Sequence, residues 1–252
     1  AEEQAVAMAS TLAKGGAKPV FGVYSTFIQR AYDQLSQDLC INNNPATILV
    51  FWGSLGAMND VTHLCLFDIP LISNIPNMVY LAPTCREEYL AMLDWSIQQT
   101  EHPVAIRVPA TGVAGSRSVE PEMNRFEMAH RGSGVAIIGV GNFFALAVTV
   151  AEQLKQSGID ATVVNPRFLT GLDTERLEDL RDSHSLVVTL EDGVLDGGYG
   201  EKIARYYGES EMRVMCRGVR KEFIDRYNVG EEYAANRLTP DQITADILEI
   251  LN

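Results

Sequence analysis

The 252-residue sequence predicts an α/β protein of two consecutive domains, each an open, mostly parallel sheet flanked by helices. Two observations carry that expectation. Short, continuously apolar runs alternate with longer amphipathic segments, the pattern of strands buried on both faces beneath helices. The alternation is interrupted once, at residues 113–133, by a polar stretch rich in Gly, Ser and Glu with a proline at Pro121, and then resumes. The predicted division is therefore 1–116, a linker at 117–133, and 134–252.

In the first unit, residues 1–14 predict a helix, with apolar positions at 5, 8, 9 and 12. Residues 19–23 form a compact apolar run and predict a strand; 27–39 predict an amphipathic helix. Strands follow at 47–52, 78–82 and 104–108, with a helix at 86–99. Residues 53–74 show no clean period and predict a long functional loop, since structureless loops of that length usually carry a site. In the second unit, strands are expected at 134–140, 161–165, 186–190 and 213–216. Helices are expected at 143–157, closing on Gly158, and at 174–183 and 200–207. Thr239-Pro240-Asp241 opens a last helix through Leu251, with Thr as N-cap and Pro in the first turn.

A formal net charge of −13 argues against nucleic acid as a partner, because a phosphate backbone calls for a basic patch. No segment reaches the roughly 18 apolar residues of a membrane span, and no secretory signal is present, so a cytoplasmic protein is expected. Cys40, Cys65, Cys85 and Cys216 contain no C-x-x-C pair and read as reduced thiols. None of the four histidines pairs with a cysteine at ligand spacing, so no metal site is expected within this chain. The turn Gly139-Val140-Gly141-Asn142 suggests a dinucleotide fingerprint, but Phe144 stands where the third glycine belongs.

The run from Tyr24 to Gln34 places aromatics, hydroxyls and an arginine where a strand meets a helix. Ligands of open α/β sheets bind beyond the carboxyl ends of strands, and a helix N-terminus there favours anions. That run, Y-S-T-F-I-Q-R-A-Y-D-Q, resembles the signature of the 1-deoxy-D-xylulose-5-phosphate synthases, thiamine-diphosphate enzymes of the transketolase superfamily. Ala1-Glu2-Glu3-Gln4-Ala5-Val6 resembles the family's A-E-Q-H-A-V, and Thr62-His63 with Phe67-Asp68 its T-H-x-G-x-F-D. Ile75-Pro76-Asn77-Met78, Asn165-Pro166-Arg167-Phe168 and Glu191-Asp192 with Gly197-Gly198-Tyr199-Gly200 continue the match in order along nearly the whole chain.

The resemblance implies a pyrimidine-binding domain followed by a transketolase C-terminal domain. It implies pyruvate decarboxylation, two-carbon transfer to an aldehyde such as glyceraldehyde 3-phosphate, a place in isoprenoid biosynthesis, and a homodimer. By the same resemblance Glu2 is the carboxyl group that holds a proton against the cofactor aminopyrimidine, in a dry pocket that raises its pKa. Phe27 corresponds to the aromatic that stacks on that ring, and His63 to a substrate contact or proton shuttle. Tyr24, Arg30, Arg107 and Asn59 fall on the substrate side, with Arg30 and Arg107 as forks for a phosphate. Read without the family, Glu2 is a helix-start acid favoured by the dipole and Arg30 a solvated helix residue.

The departures are as informative. The family's D-R-A-G reads Phe51-Trp52-Gly53-Ser54, so an arginine has become Trp52. Asn59 stands where an aspartate is expected, and the second arginine of R-Y-P-R-G is Ala110. The G-D-G…N-N motif that holds magnesium and diphosphate in the superfamily is not found in this sequence. The family also has a strand before the Glu2 helix. The expectation is therefore a piece of a longer protein, or one product of a split gene, with Mg2+ and the diphosphate held elsewhere. Alternatives are a β-type half of a split transketolase or 2-oxo acid dehydrogenase, and an impaired paralogue that serves as an assembly partner.

Overall fold

Four parallel strands build the first sheet: β1 (Val20–Tyr24), β2 (Thr47–Phe51), β3 (Val79–Leu81) and β4 (Val104–Val108), in the order β1-β2-β4-β3. The computed structural model describes residues 1–113, 122 and 124–251. Helices Glu2–Lys14 and Arg86–Gln98 flank this sheet. The expected 27–39 helix starts earlier, at Ser25 directly off β1, and runs to Cys40 with changes of pitch. It passes from α (Ser25–Ile28) through 3-10 (Gln29–Ala31) and α (Tyr32–Gln34) to a π segment (Leu35–Cys40). Its buried residues, Ile28, Ala31, Leu35 and Leu39, keep one face on the core through every change.

The second sheet holds β5 (Glu127–His130), β6 (Gly134–Gly139), β7 (Thr162–Asn165), β8 (His184–Val194) and β9 (Arg213–Val219), in the order β5-β7-β6-β8-β9. Only β5 is antiparallel to its neighbour. Helices Phe144–Gln156, Thr174–Arg181, Tyr199–Tyr207, Val229–Ala235 and Pro240–Leu251 surround it.

Three expectations are corrected. Residues 127–130, assigned to the linker, form β5. An antiparallel edge strand needs no continuous apolar run, and Glu-Met-Ala-His has none. The rest of the expected linker, with Pro121, lies largely outside the described residues. Residues 53–74 are not a bare loop: they contain a 3-10 turn (Val61–His63) and a helix (Asp68–Ile72). The strand expected at 186–190 extends to Val194, because Glu191 and Asp192 are buried with hydrogen-bond partners rather than turned to solvent. The Gly139 turn serves packing. A Cβ there would lie 2.6 Å from the Phe144 Cα, so glycine lets the Phe144 helix close onto β6.

The two sheets share one apolar core, in which Tyr80, Ala82 and Ala105 join Ala136, Ile138, Val164 and Tyr199. Main-chain bonds stitch the seam: Ala82 N–H donates to Arg167 O (2.8 Å), Leu169 N–H to Tyr80 O (2.8 Å) and Val194 N–H to Leu66 O (3.0 Å). Buried polar groups fix its register. Arg107 Nε donates to Asp68 Oδ2 at 2.7 Å, and its second fork donates to the Asp192 carbonyl at 2.5 Å. The Tyr80 hydroxyl also donates to Asp68 Oδ2, at 2.5 Å. Glu88 accepts from Asn165 (2.9 Å) and from Arg167 Nε (3.0 Å) across the same seam. Glu191 accepts from the Tyr199 and Gly200 amides, both at 2.8 Å, and so caps the Tyr199–Tyr207 helix.

Two outcomes follow from the seam. Removing one partner of a buried pair leaves the other charge without compensation, at a cost of about 3–5 kcal/mol. Arg107→Met should therefore lower the unfolding free energy by that order in denaturant titration, and a loss below about 1 kcal/mol would show that the pair is dispensable. The Glu191 carboxyl is pushed up by burial, to about 7, even though the two helix amides pull the other way. A raised acid pKa stabilises the fold below the unfolded value and loses that contribution as pH rises through the folded one. Stability should fall between about pH 4.5 and about pH 7, and Glu191→Gln should flatten that slope in pH-dependent unfolding.

Candidate functional site

The C-terminal ends of β1 and β2 open onto a cleft of about 710 Å3, walled by Phe21, Tyr24, Phe27, Phe51 and Trp52 and bounded by Glu2. Each wall residue is placed by local structure. Tyr24 ends β1 and Phe27 lies in the first turn after it, so strand and helix present neighbouring rings 6.1 Å apart. Glu2 lies in the first turn of the opening helix. Trp52 follows β2 with a left-handed backbone (φ 65°), held there by its N–H to Val108 O at 2.6 Å. Its ring stacks on Tyr24 with centroids 4.4 Å apart.

Trp52 is a shared wall. Behind it lies a second cleft of about 600 Å3, formed by the 53–74 segment and closed by Val229. Asn59, Asp60 and His63 supply its polar groups. The Tyr227 hydroxyl lies 2.8 Å from both the Leu55 and the Met58 carbonyl oxygens, with its one proton between them, and fixes that segment from the second domain. Nothing in the sequence signals Tyr227, because its partners are main-chain oxygens far away in the chain.

Of the sequence-predicted residues, Glu2, Tyr24 and Phe27 come together on the first cleft, and Asn59 and His63 on the second. His63 bridges the two, with its ring edge-on to Phe27 at 5.6 Å. The Thr62 hydroxyl donates its one proton to Asp60 Oδ1 at 2.5 Å, so its 2.7 Å contact with His63 Nδ1 requires the imidazole to donate. That tautomer leaves Nε2 as a proton acceptor.

Two expectations fail here. Arg107 is no phosphate fork for a substrate: it is only 2% exposed, and its donors are committed to Asp68 and the Asp192 carbonyl. Gly53 shows how tightly it is enclosed, since a Cβ there would meet Arg107 Nε at 2.8 Å. Glu2 is not in a dry pocket. Its carboxyl is lowered first by its own backbone N–H, with Arg30 adding to the effect, and the cleft beside it is open. Arg30 lies 3.6 Å from that carboxylate and 5.5 Å above the Phe27 ring, on the first cleft's side of the site.

Among the described residues no group of three His, Cys, Asp or Glu could hold a metal ion. Nor is any helix among them long and apolar enough to cross a membrane.

This constellation, on this pair of sheets, defines a class. The sequence matches the family model described as "Transketolase, pyrimidine binding domain" over residues 1–113 and that described as "Transketolase, C-terminal domain" over residues 125–243. The chain belongs to the transketolase family. Among named relatives it is similar to the 1-deoxy-D-xylulose-5-phosphate synthase of Clostridium tetani, 35% identical over 100% of this chain and 41% of the relative. The synthase of Clostridium acetobutylicum is 37% identical over 90% of this chain and 38% of its own length. The chain thus spans about two-fifths of the length of the curated relatives it matches. The fold is that of a solved split-gene transketolase described as an inactive beta4 tetramer. That match has a TM-score of 0.89 and 24% identity, covering 99% of this chain and 81% of that one. A transketolase from Pichia stipitis superposes with a TM-score of 0.74 at 15% identity, over 92% of this chain and 34% of that one.

Proposed function

We propose that this chain supplies the aminopyrimidine-side half of a thiamine-diphosphate-dependent transferase that decarboxylates pyruvate and passes the two-carbon unit to an aldehyde. The observation that carries the proposal is the Glu2 carboxylate at the edge of a cleft walled by aromatic rings. Phe27 and the neighbouring rings offer apolar faces for such a ring, and Glu2 offers a carboxyl oxygen for a ring nitrogen.

When bound, thiamine diphosphate supplies a stabilised carbanion equivalent. This chain's residues do the rest. Glu2 holds a proton at the aminopyrimidine nitrogen. Its lowered pKa comes first from its own backbone N–H; closure by the diphosphate-binding domain would desolvate the carboxyl and oppose that shift. Tyr24 and Trp52 shield one side from water. His63, with Nε2 as acceptor, can take a proton from solvent and pass it to the aldehyde oxygen as that oxygen becomes a hydroxyl. Mg2+ and the diphosphate would be held by that other domain, on the same protein or another chain, and a homodimer would bring two such sites together.

Both arrangements give the same expectation for this chain alone. It should bind thiamine diphosphate weakly even with magnesium, and tight magnesium-dependent binding in calorimetry would refute the division of labour.

In the complete holoprotein, Glu2→Ala should slow exchange of the cofactor C2 hydrogen by orders of magnitude while leaving the far-ultraviolet circular dichroism unchanged. Exchange at the wild-type rate would remove Glu2 from its role.

A further inference from the structure

We infer that the acceptor of this transferase is an uncharged aldehyde, and that Trp52 with the Asn59–Asp60 turn sets this choice by keeping phosphate-bearing acceptors out. The inference rests on the two-carbon-transfer reading above and concerns only its second substrate.

An acceptor must reach a cofactor whose aminopyrimidine ring would lie against Phe27. The 600 Å3 cleft adjoins that point, sharing Trp52 as a wall and His63 as a neighbour of the Phe27 ring. The described residues that line this cleft include no lysine and no arginine. Its apolar side is Trp52, Met58 and Val229; its polar side is Asn59, Asp60 and His63. The Asp60 carboxyl is lowered, first by the Thr62 hydroxyl and then by the Thr62 amide, so it stays an anion at neutral pH. A phosphate dianion entering here would meet like charge, with no fork among this chain's described lining residues to receive it.

The two arginines that the sequence offers for a phosphate do not compensate, and Arg226, whose amide donates to the Asn59 carbonyl at 2.5 Å, is turned to solvent with its guanidinium 3.9 Å from Asp225 and is not among the lining residues. Arg107 is sealed against Asp68 and the Asp192 carbonyl behind Gly53. Arg30 is 62% exposed and is directed to Glu2 and the face of Phe27. An aldehyde with a short hydroxylated or apolar tail suits the cleft better. Its oxygen can take a proton that His63 Nε2 first accepts from solvent, and its tail can lie on Trp52 and Val229.

The step balances as pyruvate plus aldehyde plus one proton giving carbon dioxide and an acyloin. The pyruvate C1–C2 bond breaks, a bond forms from C2 to the aldehyde carbon, and the aldehyde oxygen becomes the new hydroxyl.

The test uses the complete holoprotein and separates the two claims. Carbon dioxide release from pyruvate reports on the transfer reading alone. Acceptor choice is read as kcat/KM for D-glyceraldehyde against D-glyceraldehyde 3-phosphate, expected to favour the neutral aldehyde by about ten-fold or more. An arm independent of turnover titrates glycerol 3-phosphate while following the tryptophan fluorescence that is lost in Trp52→Phe, since Trp52 lines the cleft and is one of two tryptophans in this chain. No response up to millimolar concentrations is expected. Trp52→Arg, and the surface change Asn59→Lys should the first fail to fold, should each shift the ratio toward the phosphorylated acceptor by about ten-fold. A wild-type preference for the phosphorylated aldehyde, or micromolar binding of glycerol 3-phosphate, overturns the inference whether or not pyruvate is decarboxylated.

Discussion

One buried contact organises the molecule: the Asp68–Arg107 pair beneath the 53–74 segment. A charged pair in an apolar interior gains little over a well-packed apolar pair, because desolvation opposes the Coulomb attraction. What it supplies is a fixed arrangement. Asp68 Oδ2 accepts hydrogen bonds from both Tyr80 and Arg107, and the remaining fork of Arg107 ends on the Asp192 main chain of the second sheet. Asp192 in turn accepts from the Leu55 amide at 3.0 Å and from Asn142 at 2.7 Å. A single chain of hydrogen bonds thus runs from β3 and β4 through the site-bearing segment to β8. Burial pulls the guanidinium pKa down, but Asp68 outweighs it and the net direction is up, so the charge persists at any ordinary pH.

That seam explains why the site can be built from irregular backbone. The second cleft is lined mostly by residues between Gly53 and His63, which have little regular structure of their own. They are held from both ends and from behind: by Asp68 at the C-terminal side, by the Leu55 amide on Asp192, and by Tyr227 reaching across from the second domain. The aromatic cleft needs less support, since its residues come from strand ends and helix starts that are rigid already.

Much of the fold was legible because both sheets are largely parallel and their strands read as apolar runs. What escaped has a physical reason in each case. β5 is a half-polar edge strand. The Val229–Ala235 helix is short, and its one signal was Asn228, whose side chain caps the Gly230 and Glu231 amides. In Val-Ala-Ile-Arg-Val a lone arginine inside a buried run points to an interior ion pair, yet family resemblance drew Arg107 toward substrate instead. Its partner, 39 residues away, becomes visible only once the chain is folded. Glu2 and Phe27 were found through the resemblance, and the tautomer of His63 depends on a hydroxyl whose proton is already committed to Asp60.

The left-handed backbone at Trp52 narrows what natural variation can do there. Branching at the β carbon is strongly disfavoured at positive φ, so valine, isoleucine and threonine are poor candidates for that position. Glycine and asparagine fit the backbone but would erase the partition and merge the two clefts. A long unbranched side chain keeps the direction that the main chain imposes, whatever group it carries at its tip. Divergence at this residue is therefore confined to exchanging tips on one fixed stem or deleting the wall outright, and a lineage could alter its chemistry at this point with one substitution and no rebuilding of the surrounding scaffold.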